Sequence, residues 1–556
     1  MSIISTTKPA LDFFPVATPR EPQVECLDFI TKAIAKDYRD IVVAAPTGVG
    51  KTFISAATCL WAKSFEIDGY TSGGYHLVGQ KLLQDQIEND FPRFLLKYRT
   101  SVGSLKSSSS YSCPSHDTCM AGGLATNIKT QDVSEAEDRK CMHRSEGSCA
   151  YKLAYGKFCM ASVAVTNYSY MFTEHLYLGE LKPRNILVAD EAHSVERQLL
   201  GFIEVCITQK TLENWAPGCL PVPVLPDIIA FIDWMRTKYG TQCKERLDML
   251  DSLLQDCDYK NRKLLNEFSQ LQNHVGRMSY AVDNIAKDPT NWIFWQDKVD
   301  GGLNCNAKPL NAAPYVPKMI NQMGAVRLYM SAYPGPKEIF CRNLGLDTKK
   351  VAWLELDSTF PVESRLINIT PVGSMSRKYI EQTMPALLGI CKTILEVHST
   401  EKGLIHCNSY GIGLKIFNFL QSTPMRSRII FPLNSSDRNS CFLKHRNSKE
   451  PTVMISPSIA EGFSFDDDLA RFQIIAKCPF PFIGDRQVKA KMELDYDWYI
   501  LQTVQTIVQA CGRGVRSEKD HCVTYITDAD FIRLYERHSH FFPAWLTKAF
   551  RWHNAH

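Results

Sequence analysis

Short apolar runs alternate along the chain with stretches of helical spacing. Asp40-Ile41-Val42-Val43-Ala44 is the first such run. An unbroken series of this kind predicts a strand buried on both faces. Phe53 to Trp61 then reads as a buried helix, and further strand-like runs stand at 75–78, 163–166 and 185–189. The alternation predicts a parallel α/β sheet. From about Glu196 to Pro314 the texture changes. Segments such as Cys243–Leu250 and Lys263–Phe268 combine helical spacing with dense charge, which predicts a mostly helical insertion. Strand texture returns at 326–330, and a second set of runs follows at 403–406, 452–456, 472–476 and 523–527. The expectation is two α/β domains, the first interrupted by insertions. Ser107 to Ser110 reads as a loop.

The length of 556 residues is too great for one core, and 45% hydrophobic with 22% charged residues suits a globular protein. No apolar run approaches the roughly 18 residues that cross a bilayer, and no basic segment leads into an apolar one at the start of the sequence. A cytoplasmic address without membrane contact is expected, compatible with work at a nucleoid and with a cellular or viral source. Lys and Arg number 63 against 59 Asp and Glu. That excess does not argue for a polyanionic partner, although a basic groove can be balanced elsewhere. The 19 cysteines include Cys113, Cys119, Cys141, Cys149 and Cys159 in one short stretch, a density that suggests metal or cluster binding.

The chemistry is concentrated in three places. Ala45-Pro46-Thr47-Gly48-Val49-Gly50-Lys51-Thr52 follows the first strand and precedes its helix. Small residues there let backbone N–H groups approach phosphate oxygens. Lys51 would reach the β- and γ-phosphates of ATP, and the Thr52 hydroxyl would hold Mg²⁺. The strand at 185–189 ends in Asp190-Glu191-Ala192-His193. Asp190 would bind Mg²⁺ and Glu191 would act as general base on water. Gln509-Ala510-Cys511-Gly512-Arg513-Gly514-Val515-Arg516 ends a helical run. Arg513 and Arg516, three apart, could stabilise charge on the γ-phosphate.

In this order the motifs resemble those of superfamily 2 helicases, specifically the DinG/XPD-type iron–sulfur DNA helicases. Residues 45–52, 190–193 and 509–516 match motifs I, II and VI. Arg20 and Gln23 resemble the adenine-contacting Q-motif, and 83–86, 331–334, 403–410 and 461–465 resemble motifs Ia, III, IV and V. Thr166 to Tyr170 is also typical of this branch. The resemblance implies an α/β fold with two RecA-like parallel-sheet domains. Domain 1 would span 1–335 with an iron–sulfur domain at 104–160 and a helical arch at 200–314; domain 2 would span 336–556. The implied activity is ATP-dependent 5′ to 3′ translocation on single-stranded DNA and unwinding of forked or tailed DNA, by a monomer. Pro46, Thr47, Gly48, Val49, Gly50, Lys51 and Thr52 would bind nucleotide, and Gln509 would join the catalytic set.

Four thiolates suit a [4Fe–4S] cluster or zinc equally well by spacing. The resemblance points to the cluster, with Cys113, Cys119, Cys141 and Cys149 as ligands and Cys159 spare. His116 and His143 read as loop residues. Tyr111, Tyr151, Tyr155 and Phe158, interleaved with Lys106, Lys152 and Lys157, are candidates for contacting single-stranded DNA, with plain core packing as the alternative for most of the aromatics. Two positions depart from the family. Tyr333 replaces the usual Thr of motif III, and Ser464 stands where motif V usually carries an acidic residue. Both motifs couple ATP to DNA movement, so a nucleic-acid-stimulated ATPase that remodels DNA or recruits partners without processive unwinding is the alternative.

Overall fold

The computed structural model describes residues 8–79, 84–85, 87–88, 102–112, 147–257, 261–300, 302–456, 465, 467–515 and 520–553. Two all-parallel sheets of seven strands each dominate it. The first contains β1 (Asp40–Ala44), β2 (Thr71–Val78), β3 (Val102–Ser104), β4 (Val163–Asn167) and β5 (Arg184–Ala189). A smaller sheet interrupts the series with β6 (Val205–Ile207), β7 (Trp292–Val299) and β8 (Gly302–Pro309). The first sheet resumes with β9 (Gly324–Ser331) and β10 (Val351–Glu355). Its spatial order is β10-β1-β9-β5-β2-β4-β3. The second sheet takes β11 (Ile367–Gly373), β12 (Gly403–His406), β13 (Ile429–Ile430), β14 (Val453–Ser456), β15 (Phe472–Ile475), β16 (Val523–Asp528) and β17 (Phe550–Trp552). Its order is β13-β14-β12-β15-β16-β11-β17.

Side-chain alternation explains why both faces are covered. Val42 and Leu187 enter one apolar core, while Ile41, Val43, Ile186 and Val188 enter another on the opposite face of the sheet. In the second sheet Ile405 and Val453 face one core, and Leu404 and Met454 face a different one. A strand with no solvent face has no reason to carry polar residues, hence the continuous runs seen in the sequence.

The helices that matter for the site are α1 (Glu21–Ala35), α2 (Lys51–Trp61), α3 (Ala150–Met160), α4 (Val195–Ile203), α5 (Gly240–Asp256), α6 (Arg262–Lys287), α7 (Arg486–Leu494) and α8 (Tyr496–Cys511). The insertion after α4 is mostly helical, and α5 packs along α6. The Arg246–Glu267 ion pair joins these two helices. The insertion also contains the antiparallel sheet β6-β8-β7, which its helical texture did not suggest.

The expected domain boundary at 335/336 is corrected by β10. Residues 351–355 pair in parallel with β1, so this strand closes an edge of the first sheet. The chain enters the second sheet only between Glu355 and Ile367. Ser108 to Ser110, expected as a loop, forms one 3₁₀ turn.

The two sheets meet through named contacts. The Gln505 side chain donates to the Pro334 carbonyl at 2.9 Å. The Tyr333 hydroxyl donates to the Phe541 carbonyl. The Lys491 ammonium pairs with Glu196, whose other oxygen accepts from the Trp498 indole at 2.9 Å. Glu196 and Lys491 are both mostly buried, so this ion pair crosses the seam at the wall of a cavity and largely shielded from solvent. No described helix is long and apolar enough to cross a membrane.

Candidate active site and nucleic-acid groove

Strands β1, β9 and β5 are neighbours and end at the same edge, with Ala44 opposite Ser331 and Ala189 opposite Tyr329. Three motifs separated by up to almost 300 residues of sequence therefore arrive together at the carboxyl ends of adjacent strands, the usual place for a ligand in an open α/β sheet. The loop after β1 needs glycine. Gly48 and Gly50 have φ of +88° and +85°. A Cβ on Gly48 would lie 2.0 Å from the Phe360 ring, and one on Gly50 would lie 2.4 Å from the Gln23 amide. Helix α2 begins directly after this turn, so its free N–H groups and positive dipole end face the same space.

Residues at the start of α1 brace the loop. The Arg20 guanidinium donates to the Gly48 carbonyl at 2.7 Å, and the Gln23 amide donates to the Val49 carbonyl at 2.9 Å. The Arg20 backbone N–H donates to Gln23 Oε1 at 2.9 Å. The Lys51 ammonium donates to the Ala45 carbonyl at 3.2 Å. A cleft of about 760 Å³ opens above, lined by Arg20, Gln23, Thr47, Gly48, Gly50, Lys51, Thr52, Asp190 and Glu191 from the first domain and by Gln509, Gly512 and Arg513 from the second. That volume lies in the range of small-molecule sites. The domains approach closely here: a Cβ on Gly512 would stand 3.0 Å from the Thr47 methyl.

The Asp190 carboxylate at the end of β5 is held by backbone. Asp190 Oδ1 accepts from the Glu191 N–H at 2.9 Å, and the Tyr168 hydroxyl donates to the Asp190 carbonyl at 2.8 Å. Burial works against the charge of Asp190. The His76 side chain, then Lys51 and the Glu191 N–H, outweigh it and hold the carboxyl below its usual range. Glu191 has φ of +48°, a left-handed conformation that costs a non-glycine residue energy and that clusters at functional sites. His193 Nδ1 lies 2.9 Å from the Ser331 hydroxyl and 3.4 Å from Glu191. The Tyr333 N–H donates to the same Ser331 oxygen at 3.2 Å. A chain of contacts thus runs from Glu191 through His193, Ser331 and Tyr333 to Phe541 in the second domain.

The residues brought together fit a magnesium nucleotide. An anion-binding loop, a lysine, a hydroxyl and a carboxylate converge on one cleft, and an arginine faces them from the other domain. Arg513 is almost completely buried there. Arg516, Ser464 and most of the motif V segment lie outside the described residues.

A second and larger cavity, about 1420 Å³, lies between α4 and the second domain. Arg197, Arg377, Arg438, Lys477 and Arg537 line it together with Phe480, Phe482, Tyr496 and Tyr499. Phe482 is 77% exposed and Tyr496 is 54% exposed, high values for rings of this size. Asp528, also in the lining, is turned inward and accepts from the Met375 and Cys478 N–H groups. A third cavity of about 560 Å³ continues from the shared residues Arg197 and Gly201 to Tyr177, ahead of β5, and to Asn273 and Arg277 of the insertion. Sequence reasoning missed this groove, because its side chains come from loops and helices far apart in the chain.

The candidate aromatics near the cysteines behave differently. Tyr151 and Phe158 are core residues, and Phe158 stacks on Tyr75. Tyr111 and Tyr155 pack partly buried against the same core. Lys106 is engaged with Asp85, whereas Lys152 and Lys157 are exposed. Of the two readings open for Tyr151 and Phe158, core packing is the one observed, and a ring sealed in the core cannot meet a base. Cys149 is buried and caps α3, its sulfur accepting from the Lys152 N–H at 3.4 Å, and Cys159 is exposed. Cys113, Cys119, Cys141, His116 and His143 lie outside the described residues. Among the described residues no three His, Cys, Asp or Glu side chains converge as metal ligands.

Two family models match the chain, a type III restriction enzyme res subunit over residues 17–214 and a helicase C-terminal domain over residues 391–549. A protein of Methanocaldococcus jannaschii named as a probable ATP-dependent helicase is 20% identical, with 93% of this chain and 92% of that protein covered. A solved XPD helicase superposes with a TM-score of 0.63 at 16% identity, covering 97% of this chain and all of that one. The Xpd4 structure of S. tokodaii gives 0.54 at 14% identity, covering 96% of this chain and all of that one. The fold is that of two RecA-like domains, and these matches support a superfamily 2, ATP-dependent helicase.

Proposed function

We propose that this chain is an ATP-dependent superfamily 2 DNA helicase of the DinG/XPD type, moving 5′ to 3′ along single-stranded DNA and opening forked or tailed duplexes as a monomer. One observation carries the reading: the same two elements line both the nucleotide cleft and the groove. The segment from Asp190 to Glu204 contributes Asp190 and Glu191 to the cleft and Glu196, Arg197 and Gly201 to the groove. Helix α8 presents Tyr496, Tyr499, Gln502 and Thr506 to the groove, and Gln509 with the following Arg513 to the cleft. Closing the cleft must therefore shift the walls of the groove.

In the cleft, Mg²⁺·ATP supplies the anhydride bond whose cleavage drives that shift. Lys51 and the N–H groups of 48–52 hold phosphate charge, and Thr52 and Asp190 hold the metal. Glu191 takes a proton from the attacking water. Gln509 and Arg513 act on the transition state from the second domain, with Arg516 as a further candidate. Arg20 and Gln23 fix the loop and face the nucleotide. In the groove, cations carry backbone phosphates and exposed rings carry bases. Polarity and the preference for DNA rest on the family resemblance, as does a [4Fe–4S] cluster on Cys113, Cys119, Cys141 and Cys149. The contact from Tyr333 to Phe541 favours coupling over the non-unwinding alternative, because the larger residue reaches across the seam.

ATP hydrolysis with and without single-stranded DNA tests the first part. Displacement assays on 5′-tailed, 3′-tailed and RNA-tailed duplexes test the second. Stimulated hydrolysis with unwinding of 5′-tailed DNA is expected. Preference for a 3′ tail would overturn the polarity, and stimulation without displacement would favour the remodelling ATPase. Iron, sulfide and zinc analysis of anaerobically purified protein decides the cysteine site.

A further inference from the structure

His76 stands on β2, the strand beside β5, and its side chain is completely buried. Its two nitrogens face two different parts of the nucleotide site. Nδ1 lies 2.8 Å from the hydroxyl of Ser55, itself buried one turn beyond Thr52 on α2. Nε2 lies 3.5 Å from Asp190 Oδ2. A carboxylate can only accept, so the nitrogen facing it carries the hydrogen, and Nδ1 is left to share a hydrogen bond with the Ser55 hydroxyl. The separation of 3.5 Å is at the long limit for a hydrogen bond. Asp190 Oδ1 is already committed to the Glu191 N–H. His76 addresses the other oxygen and thus the rotation of the carboxylate.

We infer that His76, with Ser55 behind it, is a positioning residue: it ties the helix carrying Thr52 to the carboxylate of Asp190 and sets the spacing of the two groups that hold Mg²⁺. The inference rests on the proposed nucleotide site. Nothing in the local sequence announces it. The three residues lie in different segments, and only the order of strands brings them together. Groups behind a metal-holding carboxylate commonly change metal affinity when removed.

The test uses Mn²⁺ as a spectroscopic stand-in for Mg²⁺. Its binding to the full chain with a non-hydrolysable ATP analogue is followed by electron paramagnetic resonance. His76→Leu should raise the Mn²⁺ dissociation constant about 10–100-fold. His76→Gln should recover most of that loss, since an amide N–H can replace Nε2–H. Ser55→Ala, which leaves the imidazole in place and guards against misfolding of the histidine variants, should weaken binding roughly 2–10-fold. Asp190→Asn should weaken it strongly, and adding His76→Leu to that variant should cost nothing further. Parent-like Mn²⁺ binding in both His76→Leu and Ser55→Ala overturns the inference. So does a full additional loss in the Asp190→Asn background, which would mean that His76 acts on the fold at large. Unchanged Mn²⁺ binding in Asp190→Asn alone would instead overturn the metal site and the inference with it.

Discussion

The nucleotide cleft and the groove are walled by the same two elements but built from different materials. The cleft is made of backbone: helix N–H groups, two left-handed glycines, and carboxylates pinned at the end of a strand. Its charges are few, and all but Arg20 are partly or wholly buried. The groove is made of long side chains on loops and helix faces, many of them exposed. Removing one group from the first should leave a site of the wrong shape or charge. Removing one from the second should subtract one contact among many. Cleft changes should therefore act on turnover in an all-or-none fashion, and groove changes on affinity by degrees.

The largest test of that contrast is Lys51→Ala, which should bring ATP hydrolysis to background by removing the charge on the terminal phosphates. Near-parental hydrolysis would undo the assignment of the cleft. Arg513→Ala comes next. A drop of about 10³-fold in kcat with nucleotide binding largely kept is expected of an arginine that serves the transition state; equal turnover in parent and variant would separate the second domain from the reaction. Glu191→Gln should bind ATP while slowing hydrolysis about 10²–10⁴-fold, measured in single turnovers. On the groove side, Phe482→Ala should weaken single-stranded DNA binding by about 1–3 kcal/mol if the exposed ring stacks on a base. Fluorescence anisotropy with labelled oligonucleotides reads this directly. The smallest change is expected for Arg197→Ala: the slope of log affinity against log salt should fall by about one, with basal hydrolysis near the parent. A groove variant that abolished basal hydrolysis would break the comparison.

What could be read from the sequence follows the same division. The phosphate loop with β1 and α2, and the carboxylates with β5, are contiguous stretches of eight or so residues whose chemistry and secondary structure coincide. They are visible without any knowledge of tertiary contacts. Arg377, Arg438 and Tyr177 share cavities only because of the fold, so no local pattern marks them. β10 was missed although Val351-Ala352-Trp353-Leu354 is an apolar run. Five residues beyond a short helix do not reveal which sheet they join. β7 and β8 were absorbed into a helical reading because Gln296, Asp297 and Lys298 give the strand a charged, partly exposed end. The sequence Asp300-Gly301-Gly302 between an aromatic-rich run and a polar one was the hairpin signal available there. Tyr151 and Phe158 show the converse case, a local pattern compatible with both a surface and a core role. Aromatics among lysines suggested a binding surface, but the neighbouring strand needed them as core.

The buried ion pair between Glu196 and Lys491 has a meaning for how this protein can be altered by recombination. The partners are 295 positions apart, and the Trp498 indole that completes the pair lies in the same half as Lys491. A chimaera that exchanged the second domain would leave Glu196 facing foreign side chains, and an orphaned buried charge costs roughly 3–5 kcal/mol. The two halves are thus not freely interchangeable modules. A donor domain will be accepted when it supplies an ammonium and an indole at these two places, or when Glu196 is replaced by an apolar residue in the same step.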